Sequence, residues 1–152
     1  KYNLFIGERM AEKVKIAIGS AYPLKEEITF AVRGRNLVTG LPESIEVSSV
    51  EIREAIAGSI SVIIKTIRDA LDEAPPEILA DLLDNGICLA GGSSQLKNLD
   101  ARLSAELKVR VWVAEDPMTC VARGCGMILE NKDNYSSFLV GLEREPVQRT
   151  LA

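Results

Sequence analysis

The sequence predicts an α/β protein, and three patterns in it carry that prediction. Apolar residues recur every three or four positions across residues 8–18 and 52–71, which indicates helices with one buried face. Residues 28–33 alternate apolar and polar side chains, as half-exposed strands do. Beyond Pro76 short apolar runs alternate with helical stretches, which predicts a strand–helix–strand–helix crossover unit with parallel strands.

The first third of the chain predicts a helix followed by a hairpin. The helix covers residues 8–18 and ends at the glycine after them. Strand 28–33 then runs into Arg33–Asn36, whose composition is typical of a turn. Pro42 interrupts the return strand and has no N–H to donate, so it fits an edge position or a bend before Ile45–Val47.

A long helix is predicted in the middle of the chain. Ser48 and Glu51 have the capping-box spacing, in which each side chain accepts a hydrogen bond from the other residue's backbone N–H. Pro75–Pro76 ends the helical pattern. The predicted buried face consists of Ile52, Ile56, Ile60, Ile63, Ile67 and Leu71.

The second half predicts the crossover unit. A short helix from Pro76 to Leu83 closes at Asn85–Gly86, and Ile87–Ala90 is apolar on both faces, as in a buried parallel strand. The Gly91–Gly92 pair leads directly into a helix. The predicted buried face of this helix is Leu96, Leu99, Leu103 and Leu107. Strand Val109–Val113 follows, with Trp112 predicted in the core. The last predicted helix begins at Pro117 and buries Val121, Cys125 and Ile128.

Composition excludes several classes of function. The 152 residues are 47% hydrophobic and 26% charged, enough for one core or two packed subdomains. The net charge of −4 is spread along the chain, so nucleic acid is not an expected partner. No apolar run approaches the ~20 residues of a membrane span, and no signal peptide is visible, so we expect the cytosol. The chain starts without Met, as a fragment would.

The cysteines and the absence of histidine narrow the chemistry. Cys88, Cys120 and Cys125 lie in apolar segments without metal-ligand spacing, which predicts reduced, buried thiols and no metal site. Without histidine there is no Ser/His/Asp or Cys/His set, and no P-loop or full GxGxxG motif is present. No catalytic residue is predicted.

Gly91 and Gly92 are the strongest candidates for a binding site. They follow a predicted parallel strand and precede a predicted helix N-terminus, where open α/β sheets bind ligands and where free amides favour anions. A strand–Gly–Gly–helix pattern is weak evidence by itself, because glycine pairs also permit close packing of a strand on a helix. Both interpretations stay open on these residues alone.

Five segments in order resemble the carboxy-terminal half of the MreB family of bacterial actin homologues. Together they cover nearly the whole chain. They read IGERMAEKVKIAIGSAYP (6–23), VRGRNLVTGLP (32–42), ICLAGG (87–92), LDARLSAEL (99–107) and VAEDPMTCVARGCGMILE (113–130).

The resemblance implies an actin-type fold of the ribonuclease-H-like kind. Residues 1–19 and 64–131 would form an incomplete subdomain IIA, and residues 20–63 the inserted small α+β subdomain IIB. Residues 132–152 would form a C-terminal tail. The phosphate-binding hairpins, the magnesium-side acidic residues and the membrane-inserting loop of the family lie upstream of this half.

The resemblance also implies the function. The parent would bind ATP or ADP with Mg²⁺, form filaments, hydrolyse ATP slowly, and organise cell-wall synthesis and rod shape at the inner face of the membrane. Its partners would be further copies of itself and the membrane proteins of the elongation machinery. The half represented here would supply the adenosine side of the cleft and filament contacts, with Ala21–Val47 as a longitudinal contact surface. It should not hydrolyse ATP alone.

Carried over residue by residue, the family pattern gives the binding residues. Gly91, Gly92 and Ser93 match the adenosine motif, although MreB proteins usually have glycine where this chain has Ser93. Glu12 and Lys15 match the helix positions that reach ribose and adenine, and their i,i+3 spacing places both on one face. From the residues alone, that pair reads as a solvated helix face.

Two other functions stay open at this point. One is half of a sugar kinase or chaperone-type ATPase of the same superfamily, against which only the GERxAExxK and DPxTCVARG segments argue. The other is a scaffold module without nucleotide. Arg33 and Arg35 could clamp a phosphate, but a solvated hairpin turn accounts for them more simply.

Overall fold

The architecture consists of a three-stranded antiparallel sheet and a two-stranded parallel sheet joined by a long helix. It was obtained as a computed structural model that describes residues 1–135. In chain order the elements of this range are β1 (Leu4–Phe5), α1 (Glu8–Ile18), β2 (Thr29–Asn36), β3 (Pro42–Ser48), α2 (Ser49–Asp72), α3 (Pro76–Asn85), β4 (Ile87–Leu89), a 3-10 helix (Gly92–Gln95), α4 (Leu99–Leu107), β5 (Val111–Val113) and α5 (Cys120–Glu130).

Helix α1 has the predicted bounds and the predicted buried face. Val14 and Ile18 are buried, with Met10 and Ala17 packed beside them. Gly19 ends the helix, and its N–H donates to the Lys15 carbonyl at 2.9 Å. A Cβ on Gly19 would lie 2.3 Å from that oxygen, so the chain can leave the helix this tightly only through glycine.

The hairpin is confirmed, but the predicted position of its turn is wrong. Strand β2 continues through Asn36, and the turn occupies residues 37–41. The Asn36 side-chain oxygen accepts from the N–H groups of Val38 and Thr39 at 2.7 and 3.0 Å, which builds the turn. Gly34 serves a different purpose, because a Cβ there would lie 2.4 Å from the Phe5 carbonyl of the adjacent strand β1.

The sheet order is β1-β2-β3, which makes β3 an edge strand. Pro42 is its first residue, as its missing N–H predicts. Opposite it, β2 presents Val32 next to Ile45 and Phe30 next to Val47. This inner face packs on α1.

The capping box and the long helix are confirmed. The Ser48 hydroxyl accepts from the Glu51 N–H at 3.3 Å, and the Glu51 carboxylate accepts from the Ser48 N–H at 3.0 Å. Helix α2 then runs to Asp72, just before the two prolines. Its buried apolar residues are Ile60 and Ile64, whereas Ile63 is 43% exposed. The prediction of Ile63 as buried is wrong because the core-facing stripe follows four-residue steps here.

The parallel pair β4–β5 confirms the strand–helix–strand unit, but one face of it is exposed. Ile87 lies opposite Val111 and Leu89 opposite Val113. Cys88 and Trp112 are also register partners, so they share the other face, and both are exposed. The predictions of a strand buried on both sides and of Trp112 in the core are therefore wrong, since helices cover only one face within residues 1–135.

Helix α5 also differs from its prediction. It begins at Cys120 instead of Pro117, and no residue in it is buried. Val121 is 68% exposed, and Ile128 is half-buried. The three cysteines are free, as expected, but Cys88 and Cys125 are exposed and Cys120 is half-buried, so their predicted burial is wrong. The apolar side chains of these segments indicate that one face could be buried, but the sequence pattern does not show whether another element packs against that face.

The buried residues form two cores. The first core, under the antiparallel sheet, contains Val14, Ile18, Val32 and Val47. The second core lies between α2, α4 and the parallel pair, and contains Ala21, Ile60, Ile64, Leu99, Leu103 and Val111.

Domain bounds and the tail stay as predictions. The division into residues 1–19 with 64–131, residues 20–63 and a tail at 132–152 is not tested by these cores. Residues 136–152 of the proposed tail lie outside the described residues. None of the helices described is long and apolar enough to cross a membrane.

Candidate functional site

Gly91 turns the chain at the end of β4 in a conformation that favours glycine. Its φ is +80°, and a Cβ on it would meet no atom within 4 Å. The Gly91 N–H donates to the Pro117 carbonyl at 2.7 Å, and its carbonyl accepts from the Ser94 hydroxyl at 2.6 Å. Ser94 is 4% exposed. The turn is therefore held by backbone and Ser94 contacts, while the space beside Gly91 is free.

Gly92 and Ser93 continue this exposed backbone. A Cβ on Gly92 would approach only the Met118 side chain, with Sδ at 3.1 Å. Ser93 is exposed. Strand β4 ends at Leu89 and pairs with β5 in parallel, so the predicted position of Gly91–Gly92 after a parallel strand is confirmed.

The element after the glycines is different from the prediction. Gly92–Gln95 forms a single 3-10 turn, and α4 begins only at Leu99. Asn98 separates the two with a left-handed φ of 58°. The argument from an α-helix N-terminus therefore does not apply to this site, because four residues of 3-10 helix leave few aligned amides. What the site offers a ligand is bare backbone.

Glu12 and Lys15 lie one turn apart on the exposed side of α1. Within residues 1–135 no hydrogen bond or ion pair joins either side chain to Gly91–Ser94. The C-terminal end of α1 is nevertheless fixed to the segment just after the glycines. Lys97 Nζ donates to the Ala17 carbonyl at 2.5 Å, and the Lys97 carbonyl accepts from the Ala21 N–H at 2.8 Å.

Sequence reasoning missed the segment that lies beside the glycine turn. Pro117 accepts the Gly91 N–H, and Met118 lies against Gly92. Asp116 has a φ of 47° and accepts from the Thr119 N–H at 3.0 Å, so this segment is itself a tight turn. The available signal was topological: the carboxyl ends of adjacent parallel strands meet at one sheet edge, and residues 114–119 follow β5.

Within residues 1–135, the two carboxylates whose pKa is lowered, Glu27 and Glu51, stabilise the fold and lie apart from the glycine turn. The pKa of Glu51 is lowered to about 2, first by the Lys1 ammonium at 2.5 Å and then by the Ser48 N–H. The pKa of Glu27 is lowered by Arg53 and by the Ser49 hydroxyl. Glu51 lies on α2 and binds Lys1, so it joins α2 to the start of the chain. Glu27 binds Arg53 of α2, so it joins α2 to the segment before β2.

Comparison with known proteins fixes the family. The family model described as MreB/Mbl protein matches residues 1–137. The chain belongs to the MreB/Mbl family. It is 44% identical to the cell shape-determining protein Mbl of Bacillus subtilis strain 168 over 133 residues, which is 88% of this chain and 40% of that protein. It is also 44% identical to the cell shape-determining protein MreB of Escherichia coli strain K12 over 142 residues, or 93% of this chain and 41% of that protein.

Solved structures show that the fold is actin-like. MreB5 of Spiroplasma citri bound to ADP matches with a TM-score of 0.85 at 31% identity, over 90% of this chain and 42% of that one. The AMPPNP-bound form of the same protein matches with a TM-score of 0.84. The MamK double helical filament matches with a TM-score of 0.69 at 26% identity. MreB/Mbl membership excludes the sugar-kinase and chaperone-type ATPase alternatives. The chain spans about 40% of the length of the curated relatives.

Proposed function

We propose that this chain supplies the adenosine side of the nucleotide cleft in an ATP-binding, filament-forming actin homologue that organises cell-wall synthesis and rod shape. The observation that carries the proposal is the fold match to MreB5 proteins bound to ADP and to AMPPNP, which covers nine tenths of this chain. Gly91 and Gly92 add a local reason. Gly91 has free space beside its backbone, and Gly92 faces only the Met118 side chain, so a nucleoside can lie close to this backbone.

The proposed ligand contacts divide between two elements. Gly91, Gly92 and Ser93 pass beneath the adenosine, and Glu12 and Lys15 reach the ribose and the base from α1. The hydrogen bonds of Lys97 to α1 hold the two elements in fixed relation, so their side chains do not need to contact each other directly. Nothing in this arrangement touches a γ-phosphate.

A titration of nucleotide into the full-length protein tests these roles. Lys15→Ala should weaken binding severalfold, whereas Lys13→Ala, which removes the same charge from another face of α1, should leave the affinity unchanged. Glu12→Ala should weaken ATP and ADP equally, because adenosine is common to both. Equal effects of the two lysine variants, or a loss confined to ATP, would contradict the assignment.

Magnesium and hydrolysis are proposed for the parent protein alone. No group of three or more His, Cys, Asp or Glu side chains in residues 1–135 is arranged to hold a metal ion. We expect the Mg²⁺ ligands and the hydrolytic machinery elsewhere in the parent protein, as the family resemblance implies. A scaffold without nucleotide is the remaining alternative. Absence of any saturable ATP or ADP binding by the full-length protein would favour it.

Self-association is the second part of the proposal, with Ala21–Val47 as a longitudinal contact surface. The likeness to the MamK filament supports self-association in general. The hairpin tip supports this surface in particular, because Leu37, Val38 and Leu41 are each at least 65% exposed on a turn that Asn36 holds rigid.

Charge reversal separates contact from folding on this surface. Arg33 is exposed on β2, and its side chain makes no hydrogen bond or ion pair among the described residues, whereas Arg35 Nε donates to the Gly40 carbonyl at 3.0 Å and supports the turn. Arg33→Glu should raise the critical concentration for sedimentable polymer without lowering the melting temperature. Arg35→Glu should change both. Polymer at the parental critical concentration in the Arg33 variant would remove this surface from the contact.

Location and further partners complete the proposal. We expect the parent in the cytoplasm at the inner face of the membrane, associated through parts outside this chain and bound to membrane proteins of the elongation machinery. Fluorescence microscopy of the tagged parent tests the location. Diffuse signal in cells that retain rod shape would contradict it.

A further inference from the structure

A cavity lies between residues 21–23, α2 and α4. Its volume is about 310 Å³, and it shares no lining residue with the glycine turn or with Glu12 and Lys15. Ala21 and Ile60 give it apolar walls, each 6% exposed. Two arginines, Arg53 and Arg102, line it, and none of its lining residues is acidic.

Arg53 is held firmly in place. Its Nη2 donates to Glu27 Oε1 at 2.7 Å, and its Nη1 donates to the hydroxyl of the fully buried Ser20 at 3.0 Å. These bonds leave the guanidinium little freedom to turn away from the cavity. Its Nη1 also donates to the Tyr22 carbonyl and to Glu27 Oε2, each at 3.4 Å, so Glu27 balances its charge and Arg53 forms a fixed polar wall of the cavity.

Arg102 carries positive charge that is only partly balanced. Its Nη2 donates to Glu106 Oε1 at 2.9 Å, while the other oxygen of Glu106 accepts from Arg68 Nη2 at 2.9 Å. Two guanidinium groups therefore share one carboxylate. The Arg102 Nε is buried and has no hydrogen-bond partner in the described part of the chain. A buried donor without an acceptor is rare in folded proteins, and an ordered water or a bound anion can supply the acceptor.

We propose that this cavity binds a small oxyanion, a carboxylate or phosphate monoester carried on a compact apolar body. Guanidinium groups match the planar and tetrahedral oxygens of such anions with paired hydrogen bonds. The apolar walls select the uncharged part, and 310 Å³ is at the lower end of small-molecule pockets. Tyr22, which is 41% exposed, also lines the cavity and adds an aromatic side chain to its wall.

Calorimetric titration of the full chain with phenyl phosphate and with benzoate tests this inference, and phenol serves as the uncharged control. At least one anion should bind saturably, phenol should not, and saturation with ADP should leave the affinity unchanged. Arg102→Met should weaken binding at least tenfold. Arg110→Met, which removes an exposed arginine just before β5, should have no effect.

The proposal would be overturned by no binding of either anion, by equal affinity in the Arg102→Met protein, or by equal losses in the Arg102 and Arg110 variants. If Arg102→Met lowers the melting temperature, Arg102→Lys keeps the charge and the aliphatic stem. Arg102→Lys should bind the anion severalfold more weakly than the parental protein does, because lysine lacks the paired donors of arginine. Parental affinity in Arg102→Lys would also contradict the site.

Discussion

The two sheets of this molecule use glycine in opposite ways. In the antiparallel sheet Gly34 is closed in, because a Cβ would lie 2.4 Å from the Phe5 carbonyl and 2.9 Å from Ile6 and Leu4. At the end of the parallel pair Gly91 has nothing within 4 Å of that position, and Gly92 meets only a methionine side chain. Glycine that lets two strands approach belongs to the fold. Glycine that leaves backbone uncovered is available to a ligand.

The surroundings of the two sheets show the same contrast. The antiparallel sheet pairs β2 and β3 through seven register partners, from Thr29–Ser48 to Arg35–Pro42, and α1 covers its inner face. The parallel pair has three register partners, and its Cys88–Trp112 face is exposed. The open backbone of the ligand hypothesis therefore lies in the second region, and Glu12 and Lys15 on α1 extend the proposed site to the first.

The largest expected loss of stability comes from a substitution in the second core, which supports the parallel pair. Leu103 on α4 is 1% exposed in the second core, so Leu103→Ala should lower the free energy of unfolding by about 2 to 5 kcal/mol. Leu83→Ala on α3 is the matched control, because Leu83 is 75% exposed and should cost no more than about 0.5 kcal/mol. Chemical denaturation measures both. Similar losses would mean that α4 does not anchor this region.

A pair of alanine substitutions tests the glycine contrast itself. Gly34→Ala forces a Cβ against strand backbone and should cost about 1 to 3 kcal/mol of unfolding free energy. Gly92→Ala meets only Met118, whose flexible end can move, and should change it by no more than about 0.5 kcal/mol. Equal destabilisation by the two variants would remove the distinction between a closed and an open glycine.

A smaller effect concerns the polar contacts that join the start of the chain to α2. The folded pKa of Glu51 is about 2, below its ordinary value of 4.5, because Lys1, the Ser48 N–H and Tyr2 favour the ionised carboxylate. A depressed folded pKa stabilises the protein above pH 4.5, and this contribution is lost as the pH falls towards 2. Glu51→Gln should therefore lower the melting temperature near pH 6 and have a diminishing effect below pH 4.5.

The control for this pH dependence is Glu54→Gln, an exposed carboxylate on the same helix. It should lower the melting temperature near pH 6 less than Glu51→Gln does, because no hydrogen bond or ion pair joins its side chain to another described residue. A Glu51 variant whose destabilisation is the same at pH 2.5 and pH 6 would contradict the role assigned to the ionised form.

Local chemistry made much of this fold predictable. The bounds of α1, the Ser48–Glu51 capping box and the stop before Pro75 each depend on residues within one helical turn. The hairpin turn was misplaced because Gly34 looks like a turn residue, and its actual contact is with β1, some thirty residues earlier in the chain. Trp112 was misplaced because an apolar side chain does not reveal which sheet face is covered.

The candidate site was predictable to a similar extent. The place of Gly91 and Gly92 after a parallel strand follows from the local pattern. The 3-10 turn and the contacts of Pro117 and Met118 do not, because they depend on how β5 ends beside β4. The roles of Ser93, Glu12 and Lys15 rest on family resemblance and stay predictions.

The affinity of the full-length Gly92→Val protein for ATP and ADP tests the central claim most directly. A branched side chain at Gly92 should push the nucleotide off its backbone platform and cost about 1 to 3 kcal/mol, or roughly ten- to a hundredfold in affinity for both nucleotides. The nucleotide-free variant should melt close to the parent, since only Met118 must move. Unchanged affinity in a variant that melts normally would reduce Gly91–Gly92 to a packing corner and contradict the account.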